Sequence, residues 1–204
     1  MYRPAANTVD DPDLIAAMIR RSPFATLVTH DAEGFFATHL PLLFDPERNV
    51  LEGHIARANP HPARSGQQAL AVFTGPHAYV SPSSYPSKAE HGRVAPTWNY
   101  EAVHVVGRIT WYDDPVRLRE LLDRLTEAHE AGRPAPWAVD DAPEPYVQAL
   151  LRGIVGLEIA IDSIEAKRKL SQNKDQADRL GTIAGLRAEG AHDVADLMQE
   201  LETA

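Results

Sequence analysis

Polar and aromatic side chains that could bind a small molecule are concentrated in five short segments of the sequence, residues 37–41, 53–61, 73–85, 96–100 and 169–174. In the second segment Arg57, Asn59 and His61 alternate where a predicted strand runs into a turn. A guanidinium, an amide and an imidazole presented together suit a phosphate or a carboxylate. A surface arginine before an ordinary Asn-Pro turn gives the same pattern, so both interpretations stay open.

Aromatic side chains in the fourth segment could contact a flat ring. Trp98 and Tyr100 flank Asn99 at the mouth of a predicted long strand. Their faces are suited to stacking and their polar tips, with the amide between them, to edge contacts. The alternative is an aromatic cluster in the core or at an interface.

The remaining segments carry weaker signals. Pro41 marks the end of a strand. Free backbone N–H groups near Thr38 and His39 could there donate to a ligand's acceptors. The alternative is an edge strand with an exposed His39. Hydroxyl groups follow the bend at Gly75-Pro76, among them those of Ser81 and Tyr85, and such groups in loops are usually only solvated. Residues 169–174, Lys-Leu-Ser-Gln-Asn-Lys, could contact an anion or form a solvated helix N-terminus.

Several classes of chemistry have no support in the sequence. It contains no dinucleotide-binding, P-loop, zinc-protease or nucleophile-elbow motif, and no cysteine for a disulfide or a thiolate site. Nine histidines are present, but none form a pair with metal-ligand spacing, and His129 is predicted to be packed or to cap its helix. The formal charge of −9 and the scattered cations argue against direct DNA binding. No membrane span or signal-peptide pattern is found, which favours a cytoplasmic protein.

The periodicity predicts mostly strands in the first two thirds of the chain. A short amphipathic helix over 11–21 is followed by strands at 24–30 and 35–44, joined by a turn at 31–34, and by a strand at 50–56. Two strands at 69–74 and 78–81 are predicted to be separated by a kink at Gly75-Pro76. Residues 82–96 are predicted to form a loop, and residues 98–112 alternate as one long strand.

Helices become frequent after residue 113. Asp114 is predicted to cap a strong helix, and a shorter helix near 146–152 precedes a last strand at 154–164. The tail from residue 174 is predicted to be helical with a break near Gly190. Strands that cluster, rather than alternate with helices, predict a mainly β or α+β protein, a small barrel with helices outside it.

The five segments together resemble the PaiB family, whose members are described as FMN-binding negative transcriptional regulators. The resemblance rests on ATHLP, GHIARANPH, FTGPHAYVSPSSY, PTWNY followed by AVHVVG, and KLSQN, in this order, and extends from Met1 to about Leu186. It implies a split β-barrel of the pyridoxamine-phosphate-oxidase type with peripheral helices. It also implies a homodimer with FMN at the subunit interface. We expect a cofactor-binding domain over 1–170, with inserted helices at 114–152, and a helical extension over 171–204.

The resemblance also implies roles for individual residues. Thr38, His39 and Leu40 would lie along the flavin ring, and Arg57, Asn59 and His61 would approach the phosphate. The cleft would be lined by Ser81 and Tyr85 and closed by Trp98, Asn99, Tyr100, Lys169 and Gln172. No catalytic residue is predicted, and no metal ligand if the cofactor is FMN.

Two departures from the family pattern leave the bound molecule open. Pro62 and Ser84 stand where the family often has tryptophan, which would widen the pocket. A branch that resembles the same family binds haem: the piperazate synthases, which form an N–N bond from N-hydroxyornithine. In that case His61, or less favourably His39 or His54, would be the axial iron ligand. The hypotheses are thus a flavin-dependent oxidoreductase or regulator, a haem enzyme of this type, and a transcriptional regulator without turnover.

Overall fold

A computed structural model describes residues 1–203 as an eight-stranded antiparallel sheet with helices. The strand order is β3-β2-β6-β7-β8-β5-β4, and β1 pairs with β8. The strands are β1 (Thr8–Val9), β2 (Phe24–Asp31), β3 (Gly34–Pro41), β4 (Leu43–Asp45), β5 (Val50–Ala56), β6 (Gln68–Val80), β7 (Thr97–Tyr112) and β8 (Ile154–Lys169). The helices are α1 (Pro12–Arg21), α2 (Ser87–His91), α3 (Pro115–Glu130), α4 (Glu144–Arg152), α5 (Gln176–Ala188) and α6 (His192–Thr203). No described helix is both long and apolar enough to cross a membrane.

The chain divides into two compact units, each assembled from separated segments. The first unit contains Met1–Ser22, Phe73–His104 and the chain from Glu165 onward, and the second contains Pro23–Val72 and Val105–Ile164. The core of the first unit packs residues of β6, including Val80, against both C-terminal helices, including Leu186 and Met198. In the second unit a smaller apolar cluster joins α3 to α4.

The predicted hairpin at the start of the second unit is confirmed. β2 and β3 pair in continuous register from Phe24 opposite Pro41 to Asp31 opposite Gly34. The Asp31 carboxylate accepts the backbone N–H of Glu33 at 2.8 Å, and Gly34 has a φ of 115°, which disfavours any other residue there. The turn chemistry read from the sequence is therefore the one that closes the hairpin.

Strand β6 does not break where the sequence analysis placed a kink. One strand runs through Gly75-Pro76, because proline's fixed φ is compatible with extended backbone and its missing N–H removes only one ladder bond. Gly75 lies close to the neighbouring strand: a Cβ there would be 3.0 Å from Glu101 Cβ. Glycine at this position thus lets the two strands approach each other, and the prediction of two separate strands was wrong.

Strand β8 is five residues longer than the predicted strand, which ended at 164. Its extension is polar, so alternation of apolar residues could not reveal it. Thr8 and Val9 of β1 pair with Lys167 and Ala166, which gives this part of the backbone its ladder partner. The predicted loop over 82–96 also contains structure, a 3₁₀ turn at Pro82–Ser84 and α2.

The N-caps of α1 and α3 were predicted correctly, but the burial of His129 on α3 was not. Asp11 and Asp114 cap α1 and α3 by accepting backbone N–H groups at 3.0 and 2.8 Å. Leu118, Leu121 and Leu125 of α3 are buried as expected. His129 is exposed, so its prediction as a packed or capping residue was wrong; it lies in the last turn, beyond the apolar cluster that covers the leucines.

The two C-terminal helices are separated by a tight turn at Gly190, as predicted. Gly190 has a φ of 82°, and its N–H reaches the carbonyl of Arg187 while the next N–H, that of Ala191, reaches Leu186. This is a Schellman turn, in which glycine takes the left-handed position without a steric cost. It ends α5 and allows α6 to begin at His192.

Candidate functional site

Three of the predicted site residues form one hydrogen-bond network in the second unit. His61 is fully buried, with Nε2 2.9 Å from Thr29 Oγ1 and Nδ1 2.8 Å from Thr38 Oγ1. Asn59 donates its amide to Thr38 Oγ1 at 3.2 Å and accepts the His61 backbone N–H at 3.0 Å. Burial lowers the pKa of His61, so this imidazole is neutral at pH 7.

Arg57 does not join this network. Its Nε and Nη2 donate to the backbone carbonyls of Arg152 and Ile154 at 2.8 and 2.9 Å, and its Nη1 lies 3.5 Å from the Asp113 carboxylate. These groups occupy the guanidinium from three sides. The geometry therefore does not bring Arg57 together with Asn59 and His61 as the alternating sequence suggested.

The neighbours of Thr38 on β3 point in different directions. Leu40 is buried in the core, whereas His39 is exposed. The Nδ1 of His39 lies 3.1 Å from Thr26 Oγ1 on the adjacent strand, and its ring stacks on Phe24 with 6.3 Å between centroids. Strand alternation separates Leu40 from His39, as period-two geometry requires.

The first unit contains a cavity of about 240 Å³ that gathers most of the other predicted residues. Its lining residues are Tyr85, Ala95, Pro96, Thr97, Asn99, Lys169, Ser171, Asn173 and Lys174. Tyr85 is only 2% exposed, yet its hydroxyl has no hydrogen-bond partner within residues 1–203. Burial, and to a lesser extent the Asp178 carboxylate, raise the pKa of Tyr85, so this hydroxyl stays protonated.

Lysines of the first unit surround this cavity without carboxylate partners. Lys169 donates Nζ to the Trp98 carbonyl at 2.5 Å and to Thr97 Oγ1, and the Nζ of Lys174 lies 4.4 Å above the Tyr85 ring. Burial, and then the nearby Lys167, lower the pKa of Lys169. Neither Lys169 nor Lys174 forms an ion pair among the described residues, and Lys167, which does not line the cavity, donates to the Tyr2 carbonyl at 3.1 Å.

The wall of the cavity is held by a buried polar pair. Asn99 is fully buried and donates its amide to Ser171 Oγ at 3.0 Å. Ser171 has a φ of 64°, in the left-handed region that residues other than glycine rarely adopt, and such strain is common at binding sites. The turn that contains Ser171 is closed by Gln172, whose side chain accepts the Leu170 N–H at 2.7 Å and donates to the Arg168 carbonyl at 2.6 Å.

Gln172 and Ser81, both predicted as cofactor contacts, instead complete local turns. Neither lines the cavity. Ser81 Oγ accepts the backbone N–H of Ser83 at 3.2 Å and so starts the 3₁₀ turn that leads to Tyr85. Tyr100 is half-buried, with the Nζ of Lys167 5.3 Å from its ring centroid.

An exposed aromatic group of the first unit is formed by His77, Tyr79 and Trp98, which we call the aromatic platform. The Trp98 ring is 6.3 Å from that of His77 and 6.0 Å from that of Tyr79. Trp98 and Tyr79 remain 53% and 45% exposed, which is unusual for large rings that pack together. Lys169, which lines the cavity, donates to the backbone carbonyl of Trp98, whose ring belongs to the platform.

The expectation that Ser84 widens the pocket is wrong. Ser84 is not part of the cavity wall; a Cβ on Gly185 of α5 would lie 2.2 Å from Ser84 Oγ. A Cβ on Gly181 would lie 2.3 Å from the Ser84 carbonyl oxygen. The small side chain at 84 is thus matched by close approach of α5, which fills the space that a larger ring would take.

Sequence reasoning missed a charged cluster in the second unit, which we call the arginine cluster. Its centre is Glu52, 1% exposed, with Arg124 Nη2 at 2.7 Å, Arg48 Nη1 at 3.0 Å and Arg117 Nη2 at 3.8 Å. Arg48 and Arg117 also bind the carboxylate of Glu158 at 2.6 and 2.5 Å. The members lie far apart in the chain, and only the acidic residue inside the apolar run Val-Leu-Glu-Gly-His-Ile hinted at them.

Comparison with known proteins gives the family. The family model described as "Putative FMN-binding domain" matches residues 1–163. The protein named protease synthase and sporulation protein PAI 2, from Bacillus subtilis, is 33% identical over 98% of this chain and 97% of its own length. The chain belongs to the PaiB family.

Solved structures that resemble this PaiB-family chain support its fold class. A conserved hypothetical protein, Rv2991 from Mycobacterium tuberculosis, superposes with a TM-score of 0.62 at 12% identity, covering 86% of this chain and 95% of its own. The FAD and heme binding protein from Mycobacterium smegmatis superposes with a TM-score of 0.60 at 16% identity, covering 85% and 78%. The predicted fold class, a mainly β protein with peripheral helices, is confirmed by the eight-stranded antiparallel sheet and by these structures of the same fold.

Proposed function

We propose that this PaiB-family protein binds FMN and acts as a flavin-dependent oxidoreductase or a flavin-dependent regulator. Two observations in the first unit carry the proposal: the exposed rings of the aromatic platform, and a cavity whose lining lysines have no counter-charge. A flat ring with an anionic tail matches this pair of features, because one offers exposed ring faces and the other offers only uncompensated positive charge. The family's FMN-binding domain supports the same cofactor.

The chain's own residues would bind and orient the cofactor. A flavin supplies the redox chemistry when it is bound, while the protein supplies position and electrostatics. Trp98 would contact the ring, and the neutral Tyr85 hydroxyl and the cations at Lys169 and Lys174 would bind the polar tail. Within residues 1–203 no group of three potential metal ligands is found.

We further propose the homodimer that the family resemblance implies. The supporting observation is one face of the β2–β3 hairpin. Phe24 and Phe35 are 64% and 79% exposed, and the register puts them on the same face as Ala37 and His39. A contiguous exposed patch of this kind is typical of an interaction surface. Sedimentation equilibrium of the wild type and of Phe35→Asp tests it: we expect a dimer and a monomer respectively.

The haem alternative requires an imidazole nitrogen that is free to bind iron. Both nitrogens of His61, the first candidate, are within hydrogen-bond distance of threonine hydroxyls. Iron ligation by His61 would break one of these contacts, whereas His39 keeps an uncommitted Nε2 on an exposed strand. This arrangement counts against His61 as the axial ligand, and the haem enzyme stays a prediction to be separated by spectroscopy.

The absorption spectrum of the purified protein, with and without added FMN, tests the proposal directly. We expect paired flavin bands and a dissociation constant that rises about tenfold in Trp98→Ala, the range for loss of one stacking contact. Trp137→Ala, which removes an exposed tryptophan of the second unit, is the matched control and should bind FMN like the wild type. A wild type that binds no flavin would refute the proposal, and a Soret band would support the haem alternative.

A further inference from the structure

We infer that a groove at the C-terminal end of α3 is a docking site for a basic peptide segment of a partner protein. The groove, which we call the Trp137 groove, has a volume of about 390 Å³. It is lined by Asp123, Thr126, Glu127, Glu130, Ala131, Pro136, Trp137, Ala138 and Val139. All these residues belong to one stretch of the second unit, and the inference is independent of the proposed flavin function.

The apolar part of the Trp137 groove is an exposed ring next to the core. Trp137 is 47% exposed, whereas Val139 is only 6% exposed and packs in the apolar cluster that joins α3 to α4. Pro136, the residue before the tryptophan, is exposed and also lines the groove. A half-exposed indole ring in a groove is available to a side chain of another protein, and such rings are enriched in protein interfaces.

Hydrogen bonds hold the tryptophan in this exposed position. The backbone N–H of Trp137 donates to the carboxylate of Glu130 at 3.1 Å, and the N–H of Ala138 donates to that of Asp141 at 2.9 Å. The N–H of Arg133 donates to the Glu130 carbonyl at 2.9 Å and closes the turn after α3. The groove is therefore formed before a partner arrives, so binding does not have to order this loop.

Carboxylates are the only charged groups among the residues that line the groove. Asp123 is bound by Arg119 at 3.0 Å. Glu130 is bound by Arg133 at 3.0 Å. Glu127 forms no ion pair within residues 1–203. A cationic side chain would find in one groove a carboxylate without a counter-ion and a tryptophan ring, and both attract guanidinium and ammonium groups.

The charge of the surrounding helices favours a basic partner over a second copy of this chain. Residues 114–152 contain eight aspartate and glutamate residues and five arginines. Two of these arginines, Arg117 and Arg124, contact the buried Glu52 and so do not neutralise the outer surface. A second copy, with a formal charge of −9, would on balance be repelled by this acidic surface, whereas a basic segment would be attracted.

Other exposed apolar side chains of α3 and α4 favour a peptide over a small organic cation. Val116, Tyr146 and Leu150 are 66%, 57% and 47% exposed. At 1.5 Å per residue, Val116 lies roughly 17 Å along α3 from Glu127. An extended peptide of about six residues spans that distance, so it can place a cation in the groove and apolar side chains along the helix. A single organic cation cannot make both contacts.

Fluorescence anisotropy of a labelled peptide tests the inference. The probe is acetyl-Leu-Arg-Ala-Leu-Arg-Ala-Leu-Arg amide, and its control peptide has citrulline, which is neutral and similar in shape, in place of each arginine. We expect the wild type to bind the arginine peptide about tenfold more tightly than the citrulline peptide, and this preference to shrink as salt is added. Trp137→Ala should weaken binding of the arginine peptide about fivefold, the range for a cation–π contact at a partly exposed site.

A second variant and two controls separate the groove from the rest of the acidic surface. Glu127→Gln should weaken binding of the arginine peptide about threefold and flatten its salt dependence. Tyr2→Ala removes an exposed ring of the first unit, and Glu47→Gln removes an exposed carboxylate outside the groove. Both controls should bind the peptide like the wild type. All four side chains are at the surface, so the variants are expected to fold.

Several outcomes would overturn the inference. These are equal affinity of the wild type for both peptides, binding of neither peptide, and unchanged affinity of Trp137→Ala for the arginine peptide. Sedimentation equilibrium tests the remaining occupant: Trp137→Ala should keep the oligomeric state of the wild type, and its dissociation would assign the groove to a second copy instead. FMN binding by Trp137→Ala should be unchanged, so the peptide result and the flavin result stand or fall separately.

Discussion

The arginine cluster of the second unit and the lysine cavity of the first unit are both partly buried and both charged, but only in the arginine cluster does every cation have a carboxylate partner. Glu52 and Glu158 neutralise their arginines within 4 Å, and each guanidinium fork contacts a carboxylate. Lys169 and Lys174 of the cavity contact a carbonyl oxygen, a hydroxyl and an aromatic face instead. The charges of the arginine cluster are balanced by its own carboxylates, whereas the lysine cavity remains positively charged.

Whether a cation already has a carboxylate partner distinguishes structural residues from ligand-binding residues more clearly than the residue type does. Arginine is the usual choice for phosphate recognition, and a search by residue type selects Arg57. Charge balance selects the lysines, because an ion pair that is already formed has little to offer a ligand. The comparison predicts that damage to the arginine cluster lowers stability and that damage to the lysine cavity lowers affinity.

The largest expected effect is on stability. Glu52→Gln leaves three arginines facing an amide, and breaking a buried ion pair from one side costs about 3 kcal/mol, the low end of the range since these arginines are partly exposed. Urea denaturation should show this loss, while the affinity of the folded protein for FMN should not change. Glu47→Gln, at an exposed position, is the control. An equal, small effect of both variants would contradict the difference between the two clusters.

A pH titration of binding probes the lysine cavity. Because the pKa of Lys169 lies below its usual 10.5 in the folded apoprotein, this side chain loses its charge earlier than a free lysine as the pH rises. The preference for FMN over riboflavin, which lacks the phosphate, should therefore decrease as the pH rises from 7 towards 10. Lys169→Arg keeps its charge over this range and should show a flatter profile. Parallel profiles for both proteins would contradict the proposal that Lys169 binds the anionic tail of the cofactor.

The smallest effect concerns the support of Tyr85. Gly181→Ala puts a Cβ 2.3 Å from the Ser84 carbonyl oxygen, so α5 or the turn before Tyr85 must shift. We expect a loss of about 1 kcal/mol, since overpacking is partly offset by alanine's better helix propensity. FMN affinity should fall with it, because the shift moves one wall of the cavity. Gly132→Ala, where a Cβ meets no atom within 4 Å, is the control for thermal denaturation and binding.

Local chemistry made much of the fold predictable. The hairpin from Phe24 to Pro41, β5, and the helix caps at Asp11 and Asp114 follow from residues close in sequence. The end of β8 could not be predicted, because its ladder partner is β1, more than 150 residues away. Nor could the continuity of β6, which depends on close approach of Gly75 to Glu101 in the next strand.

Several residues of the candidate cavity could be selected from the sequence, but their hydrogen-bond and charge partners could not. Tyr85, Trp98, Asn99 and Lys169 were identified from the sequence, and the structure puts all but the exposed ring of Trp98 at one cavity. Which cations remain without a counter-charge depends on where distant carboxylates and carbonyls lie. Arg57 is engaged by residues 152 and 154, a pairing that no local pattern encodes.

The contact between Ser84 and α5 also bears on how this family can vary. A large ring at position 84 needs α5 to lie farther away, because α5 is already so close that a Cβ on Gly185 would lie 2.2 Å from Ser84 Oγ. An evolutionary path to tryptophan at 84 must therefore move α5 outward before or together with that change. Among PaiB-family sequences, we expect the residues aligned with 84, 181 and 185 to covary. Either all three residues are small, or the residue at 84 is bulky and α5 is displaced.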